Sequence, residues 1–300
     1  MSDMAQKRGM MLRRRQAIAL LAASVFPHPV RAQTPLRVAA IDWAMLETSA
    51  ALGVMPVAAT ELIQFRKLGV EPSIPESVID LGLRGAPNFE LLSLIKPDYI
   101  LISPFYTRYE SRLSGIAPLI SLPFYVPGEP PFDKALAAVT ALGEKFERMD
   151  EARRVLDDAS RSLAEMREKL VPFADRPTYL VNIGDARHFR AFGADSMFGD
   201  MLARLGLPNA WQDMSRFTFA APVPLENLAA NPDARIVIVS DIPVEARSAF
   251  HNSALWNSLE PVRQGRVVML GNVNPYGGIT AGMRFARLLT QGLLETGRPL

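Results

Sequence analysis

The chain has 300 residues, of which 49% are hydrophobic and 21% charged, ordinary values for a globular protein and enough length for two domains. It contains no cysteine, which excludes a disulfide framework, a thiolate metal site and a thiol nucleophile. The formal charge of +2 comes from the first residues and says little about partners.

Lys7, Arg8 and the run Arg13, Arg14, Arg15 precede an apolar stretch at 17–26, and "VRAQ" at 30–33 carries small residues of the kind a signal peptidase reads. Residues 1–32 therefore read as an export signal, cleaved after Ala32, and the adjacent arginines resemble a twin-arginine signal. The apolar run falls short of the ~20 residues that span a bilayer, and no later run reaches that length. Residues 1–32 hold six Lys or Arg and one acid, so the mature chain keeps 27 bases and 30 acids, a net charge of −3 with His neutral. No basic stripe remains to suggest nucleic acid. With no cysteine to carry a lipid, the mature protein is expected free in the periplasm.

Short apolar runs then alternate with segments of helical period, the mark of βα units and an α/β fold. "LRVAAIDW" (36–43), "MPVAAT" (55–60), "DYILIS" (98–103) and "PLISLPF" (118–124) read as strands of a first lobe. Residues 132–170 are rich in good helix formers, and Gly143 with the charges near Met149 divides them into two helices. "TYLVNI" (178–183), "HFRAFG" (188–193), "FTFAAP" (217–222), "ARIVIVSD" (234–241) and "GRVVMLG" (265–271) supply a second set of strands before a closing helix at 279–296. The expected architecture is two α/β lobes on either side of a long helix. A weak internal echo relates them: "PNFELLSLIKPDYILIS" (87–103) and "VPLENLAANPDARIVIVS" (223–240) each place a glutamate, Glu90 or Glu226, in the first turn after a proline. An acid there favours a helix N-terminus, which explains either glutamate alone but not their repetition.

The mature chain has two histidines, His188 and His251, without a ligand-spaced partner, so no metal site is expected. No G-x-S-x-G elbow, Walker loop or dinucleotide fingerprint follows a strand, and no catalytic residue can be named. Instead, polar and aromatic residues stand at the C-terminal ends of strands, where open α/β sheets bind ligands. Trp43 follows the first strand, Tyr106 follows "YILIS", and Arg84 stands in "LGLRGAP" before a helix expected from Pro87. Either Trp43 and Tyr106 cap the core while Arg84 pairs with an acid such as Asp80, or the three face a ligand rich in oxygen acceptors, which a guanidinium fork suits.

The stretches "VIDLGLRGAPNFELLSLIKP" (78–97), "RHFRAFGADSMFGDML" (187–202), "LGLPNAWQ" (205–212) and "YGGITAGMRFARLL" (276–289) resemble the ferric hydroxamate periplasmic binding proteins of bacterial iron uptake. The resemblance implies a class III periplasmic binding protein of the helical-backbone metal-receptor type, with lobes at 33–144 and 174–300 joined by one long rigid helix at 145–173. It implies capture of an Fe(III)-siderophore, which brings its own iron ligands, and delivery to an inner-membrane ABC permease with its ATPase. The arginine and tyrosine that bond the chelating oxygens in that family fall on Arg84 and Tyr106, and the docking glutamates on Glu90 and Glu226. Trp43, Phe217 and Tyr276 keep an aromatic lining, while family tryptophans are replaced by Leu68, Thr218 and Asn274, the last counted among the ligand residues. Arg190 replaces an apolar residue, which suggests a smaller or more anionic ligand such as a citrate-containing hydroxamate. A cobalamin or haem carrier of the same fold is the alternative, and an exported enzyme acting on a chelate is a more distant one.

Overall fold

Short runs of small and β-branched residues build two sheets in the computed structural model, which describes residues 35–213 and 220–296. The first contains β1 (Val38–Ala40), β2 (Ala58–Ala59), β3 (Ile79–Asp80), β4 (Tyr99–Ile102) and β5 (Leu119–Ser121), all parallel in the order β3-β2-β1-β4-β5. Parallel strands are covered on both faces and need no polar alternation, and β1 and β2 are wholly buried. β3 was missing from the expected strands because its two residues form no apolar run.

The second sheet contains β6 (Thr178–Ile183), β7 (His188–Ala191), β8 (Ala220–Pro224), β9 (Arg235–Ile238) and β10 (Val267–Met269), in the order β10-β9-β6-β7-β8. β10, β9 and β6 are parallel, whereas β7 and β8 run antiparallel. The β6–β7 turn closes on Asp185, whose Oδ1 accepts from the backbone N–H groups of Arg187 (2.7 Å) and His188 (2.9 Å). The expected strand at 217–222 is described from Ala220 onward; residues 217–219 lie outside the described part.

The helices are α1 (Trp43–Ala51), α2 (Leu62–Leu68), α3 (Phe89–Ile95), α4 (Glu110–Ser114), α5 (Phe132–Lys145), α6 (Met149–Leu170), α7 (Met197–Arg204), α8 (Val244–His251), α9 (Ala254–Ser258), α10 (Glu260–Arg263) and α11 (Ile279–Thr296). Gly143 does not divide α5 from α6, as its residue type suggested; it lies inside α5. A Cβ on it would stand 2.7 Å from the Cβ of Ala152, so its lack of a side chain lets the two helices approach. The break falls at Glu147, whose φ of 57° leaves the right-handed region.

Side chains alternate across the strands, and the inward set forms one core between the two sheets. Val38 and Leu101 of the first sheet, Leu180 and Val237 of the second, and Phe285 and Leu289 of α11 belong to the same buried cluster. The outward set feeds smaller clusters, Ala39 and Ile100 on one side and Val181 and Ile236 on the other. The long helix is therefore not the only tie. α11 packs on α1, α6, α7 and β10, and its Arg284 and Arg287 both pair with Glu71, which follows α2.

Gly143→Ala is expected to lower stability by about 1 kcal/mol, because overpacking at this crossing costs ~1–3 kcal/mol against the ~1 kcal/mol gained in helix propensity. Urea unfolding reads this as a lower midpoint at unchanged slope. An unchanged or raised midpoint would show that the helices do not need the gap.

Candidate functional site

Four adjacent strands of the first sheet end along one edge, and each delivers a polar or aromatic residue there. Arg84 follows β3, Glu61 follows β2, Asp42 and Trp43 follow β1, and Tyr106 follows β4. The parallel register makes this juxtaposition, as it does at the carboxyl edge of open α/β sheets generally.

The Arg84 loop is built to present its side chain. Asp80 accepts from the backbone N–H groups of Gly82 (2.9 Å) and Leu62 (3.1 Å), and Gly82 has a φ of +76°, the left-handed conformation that glycine adopts most readily. The N–H of Asn88 returns to the Leu81 carbonyl at 2.8 Å, and α3 begins at Phe89, two residues beyond Pro87, with Asn88 as its cap. Asp80 is therefore occupied by backbone and is not the partner of Arg84. That partner is Glu61: its Oε1 accepts from the Arg84 N–H at 3.0 Å and its Oε2 from Arg84 Nε at 2.7 Å. Glu61 itself holds a φ of 51°, secured by its N–H on the Gly82 carbonyl at 2.8 Å.

Three further contacts fix the guanidinium. Its carbon lies 3.8 Å over the Trp43 ring and 5.7 Å from the Tyr276 ring, within cation–π range. The Tyr106 phenol lies within the electrostatic reach of Arg84, and burial is the main cause that raises it above its ordinary pKa. Tyr106 is 3% exposed and Trp43 2%, yet the Arg84 side chain keeps 24% of its surface. Trp43 begins α1 rather than hanging free, with its Nε1 donating to the Thr60 carbonyl at 3.0 Å. Both aromatics are thus packed in the core, and the Trp43 ring still meets the arginine.

Asp42 lies beneath this group as the cap of α1, accepting from the N–H groups of Ala44 (2.8 Å) and Met45 (3.1 Å) and from the Ser103 hydroxyl (2.8 Å). Burial raises its carboxyl above the usual range, opposed by these bonds and by the charge of Arg84.

Asn274 requires a correction. It is fully buried, its amide donates to Glu47 Oε1 at 2.7 Å, and its Oδ1 accepts from the Tyr276 N–H at 3.0 Å. It supports Tyr276 from below and does not reach a ligand. Glu47, on α1, also accepts from the N–H groups of Gly278 (2.8 Å) and Ala281 (3.2 Å). Burial pushes its carboxyl up to about 8 against those three donors. Tyr125 completes the support, donating to the Gly277 carbonyl at 2.6 Å.

Arg190 stands apart, exposed on β7, with Nη1 3.3 Å from Asn182 Oδ1. It lines a cavity of about 500 Å³ together with Lys67 and Leu68 of α2, Val239 and Pro275. Arg84 and Tyr106 do not line that cavity, but Pro275 adjoins Tyr276, so the cavity and the Arg84 cluster meet at one loop. Phe217 lies outside the described residues. Glu61, Asp42 and Glu47 were missed from sequence. The first two follow strands, so the rule that singled out Arg84 and Trp43 reaches them, whereas Glu47 carries no sequence signal. Among the described residues no group of three or more His, Asp or Glu side chains could hold a metal ion, and no helix is long and apolar enough to cross a membrane.

Two α/β sheets sharing one core, with a polar cluster at the strand ends, define a class III periplasmic binding fold. A family model described as "Periplasmic binding protein" matches residues 38–273, and the chain belongs to that family. The iron(3+)-hydroxamate-binding protein FhuD of Escherichia coli is 31% identical over 259 residues, 86% of this chain and 87% of that protein. The Fe(3+)-citrate-binding protein YfmC of Bacillus subtilis is 23% identical over 239 residues, 78% of this chain and 72% of its own. The structure of the siderophore-binding protein FhuD of Vibrio cholerae with Fe3+-Desferal bound superposes with a TM-score of 0.82 at 24% identity, over 88% of this chain and all of that one.

Because burial raises Asp42 and Glu47, their protonated forms are favoured in the folded state. Stability from this source is complete below about pH 4.5, the ordinary glutamate value, and is lost as pH rises to about 8. The unfolding free energy is expected to fall over that window by an amount on the order of a few kcal/mol, and Glu47→Gln should remove most of the slope. A slope unaltered by Glu47→Gln in denaturant titrations across this range would contradict the assignment.

Proposed function

We propose that this chain is a substrate-binding protein that captures an Fe(III)-siderophore outside the cytoplasm and hands it to an inner-membrane ABC permease driven by its ATPase. The observation that carries the reading is the Arg84 guanidinium, held through Nε by Glu61 and 3.8 Å over the Trp43 ring, so that its Nη edge is left to donate, with the Tyr106 phenol nearby as a second donor. A chelate whose iron is fully coordinated presents oxygens that carry negative charge, and such oxygens accept charge-assisted hydrogen bonds from a fixed fork. The iron stays with its chelator, and the protein contributes orientation and charge. Leu83 and Phe105, beside Arg84 and Tyr106 in the chain, are 65% and 75% exposed; they suit the apolar linkers of such a ligand. The names of the E. coli and B. subtilis relatives, which bind iron hydroxamate and Fe(3+)-citrate, agree with this class of ligand.

Our reading is binding without turnover, which the engagement of the cluster's carboxylates by backbone or arginine supports. A haem reading draws on one relative, the heme uptake protein IsdE of Staphylococcus aureus, at 24% identity. Tyr106 is a poor axial ligand here, because burial raises the phenol and so disfavours the phenolate that would hold haem iron. His188 is engaged by Asp185 at 3.0 Å.

Glu90 and Glu226 fit a docking role. Both are exposed in the first turn of a helix, Glu90 on α3 and Glu226 on the 3-10 turn Leu225–Ala230. The cap of α3 is already supplied by Asn88, whose Oδ1 accepts from the Leu91 N–H at 3.0 Å, so Glu90 is not needed to close that helix end.

Arg84→Ala is expected to weaken binding of Fe(III)–Desferal about 100-fold, since two hydrogen bonds to charged oxygens at ~1.5–3 kcal/mol each are lost. Arg84→Lys should recover only part of the affinity, because an ammonium lacks the planar fork. Quenching of intrinsic fluorescence measures both, and wild-type affinity in Arg84→Ala would overturn the reading. In a second experiment, Glu90→Lys with Glu226→Lys should abolish uptake of radiolabelled iron chelate by cells while ligand affinity stays intact. Transport at the wild-type rate would reduce both glutamates to surface acids. Arg190 bears on ligand charge: a citrate-based chelate should lose affinity in Arg190→Ala and a neutral trihydroxamate should not, and equal effects on both would remove Arg190 from specificity.

A further inference from the structure

The second sheet has another polar concentration, on the edge away from the Arg84 cluster. Arg235 opens β9, Thr178 opens β6 and Arg266 immediately precedes β10, whereas the opposite ends of these strands, at Ile183 and Val239, line the 500 Å³ cavity. Arg176, Arg235 and Arg266 together line a separate cavity of about 320 Å³, walled by Phe173, Val268 and Leu293.

Three guanidiniums share this space with little to balance them. Arg235 is 7% exposed. Its Nη1 donates to the Phe173 carbonyl at 2.9 Å and lies 3.4 Å from Thr178 Oγ1, while its Nη2 is 3.6 Å from Asp175. Asp175, itself half exposed, serves Arg176 as well, at 3.0 Å. Arg266 donates one Nη to the Pro232 carbonyl, but its Nε is buried without a partner among the described residues. Glu260, near in sequence, is taken by Arg263 and Gln264. Burial lowers the Arg235 pKa, and the charges of Arg176 and Arg266 add to that effect.

Gathering three cations around one shared carboxylate, with one N–H desolvated and unbonded, opposes folding unless an anion compensates. Guanidinium forks match the oxygens of phosphate. We propose that Arg176, Arg235 and Arg266 form a second, anionic site for a phosphate group, independent of the ligand groove and on the opposite edge of its sheet. The group is supplied either as free phosphate or by the headgroup of a membrane lipid.

The full chain should be titrated calorimetrically with sodium phosphate at constant ionic strength, with chloride as the control. Saturable binding is expected, weakened about tenfold or more in Arg176→Gln/Arg266→Gln, with the circular dichroism spectrum and Fe(III)–Desferal affinity unchanged. Arg235 is left in place because it holds the Phe173 carbonyl. Arg266→Lys, which keeps the charge but removes Nε, should give an intermediate loss. In a parallel arm, co-sedimentation with phosphatidylglycerol vesicles, compared with phosphatidylcholine, identifies a headgroup source if it depends on Arg176 and Arg266 while free phosphate does not saturate. Absence of both forms of binding, or binding unaffected by the double substitution, overturns the proposal.

Discussion

A guanidinium that is to bond a further acceptor must be oriented with some of its N–H groups left over. Arg84 meets that constraint through Glu61, which takes its Nε and its own backbone N–H in one bidentate grip. The grip leaves the terminal nitrogens for another acceptor, and the Trp43 face below favours the cation without competing for its N–H groups. Around this pair the rest of the site has a reason to be where it is. Four parallel strands in sheet order bring Arg84, Glu61, Trp43 and Tyr106 to one edge, and Asp80 spends its carboxylate on holding the loop that carries Arg84.

The second wall of the cluster depends on a buried carboxylate. Glu47 gathers the side chain of Asn274 and the N–H groups of Gly278 and Ala281, so that α1 of the first sheet grips the start of α11. Gly277 is obligatory there, because a Cβ would lie 2.5 Å from both Glu47 oxygens. This is how Tyr276 comes to face Arg84. With Glu71 bridging to Arg284 and Arg287, the layer between the sheets is fastened at several points.

Much of the fold was readable from periodicity. The long apolar runs of β4, β6 and β9 and the helical segment at 132–170 follow from residue spacing alone. β3 was not legible, since a two-residue strand has no period, although its loop, with Arg84 between two glycines, was the most conspicuous stretch in the chain. Gly143 was read as a break because glycine disfavours helices, whereas its cause is the approach of Ala152 from the helix that follows and packs against its own. In the site, Arg84, Trp43 and Tyr106 could be named from strand ends and from resemblance. The acids that hold the site could not: Glu61 precedes α2 and Glu47 lies within α1, and neither position signals its partners. Asn274 was assigned to the ligand because position was known and direction was not. Which way a side chain turns, and whether a carboxylate is satisfied by backbone from 230 residues away, are decided by tertiary packing.

The direct measurement is a crystal structure of this chain with Fe(III)–Desferal bound. The account predicts that the Arg84 Nη atoms and the Tyr106 hydroxyl lie within hydrogen-bond distance of the iron-bound oxygens, with the Glu61–Arg84 pair retained and no protein atom on the metal. A chelate seated elsewhere, or an iron ligated by a side chain of this protein, would contradict it.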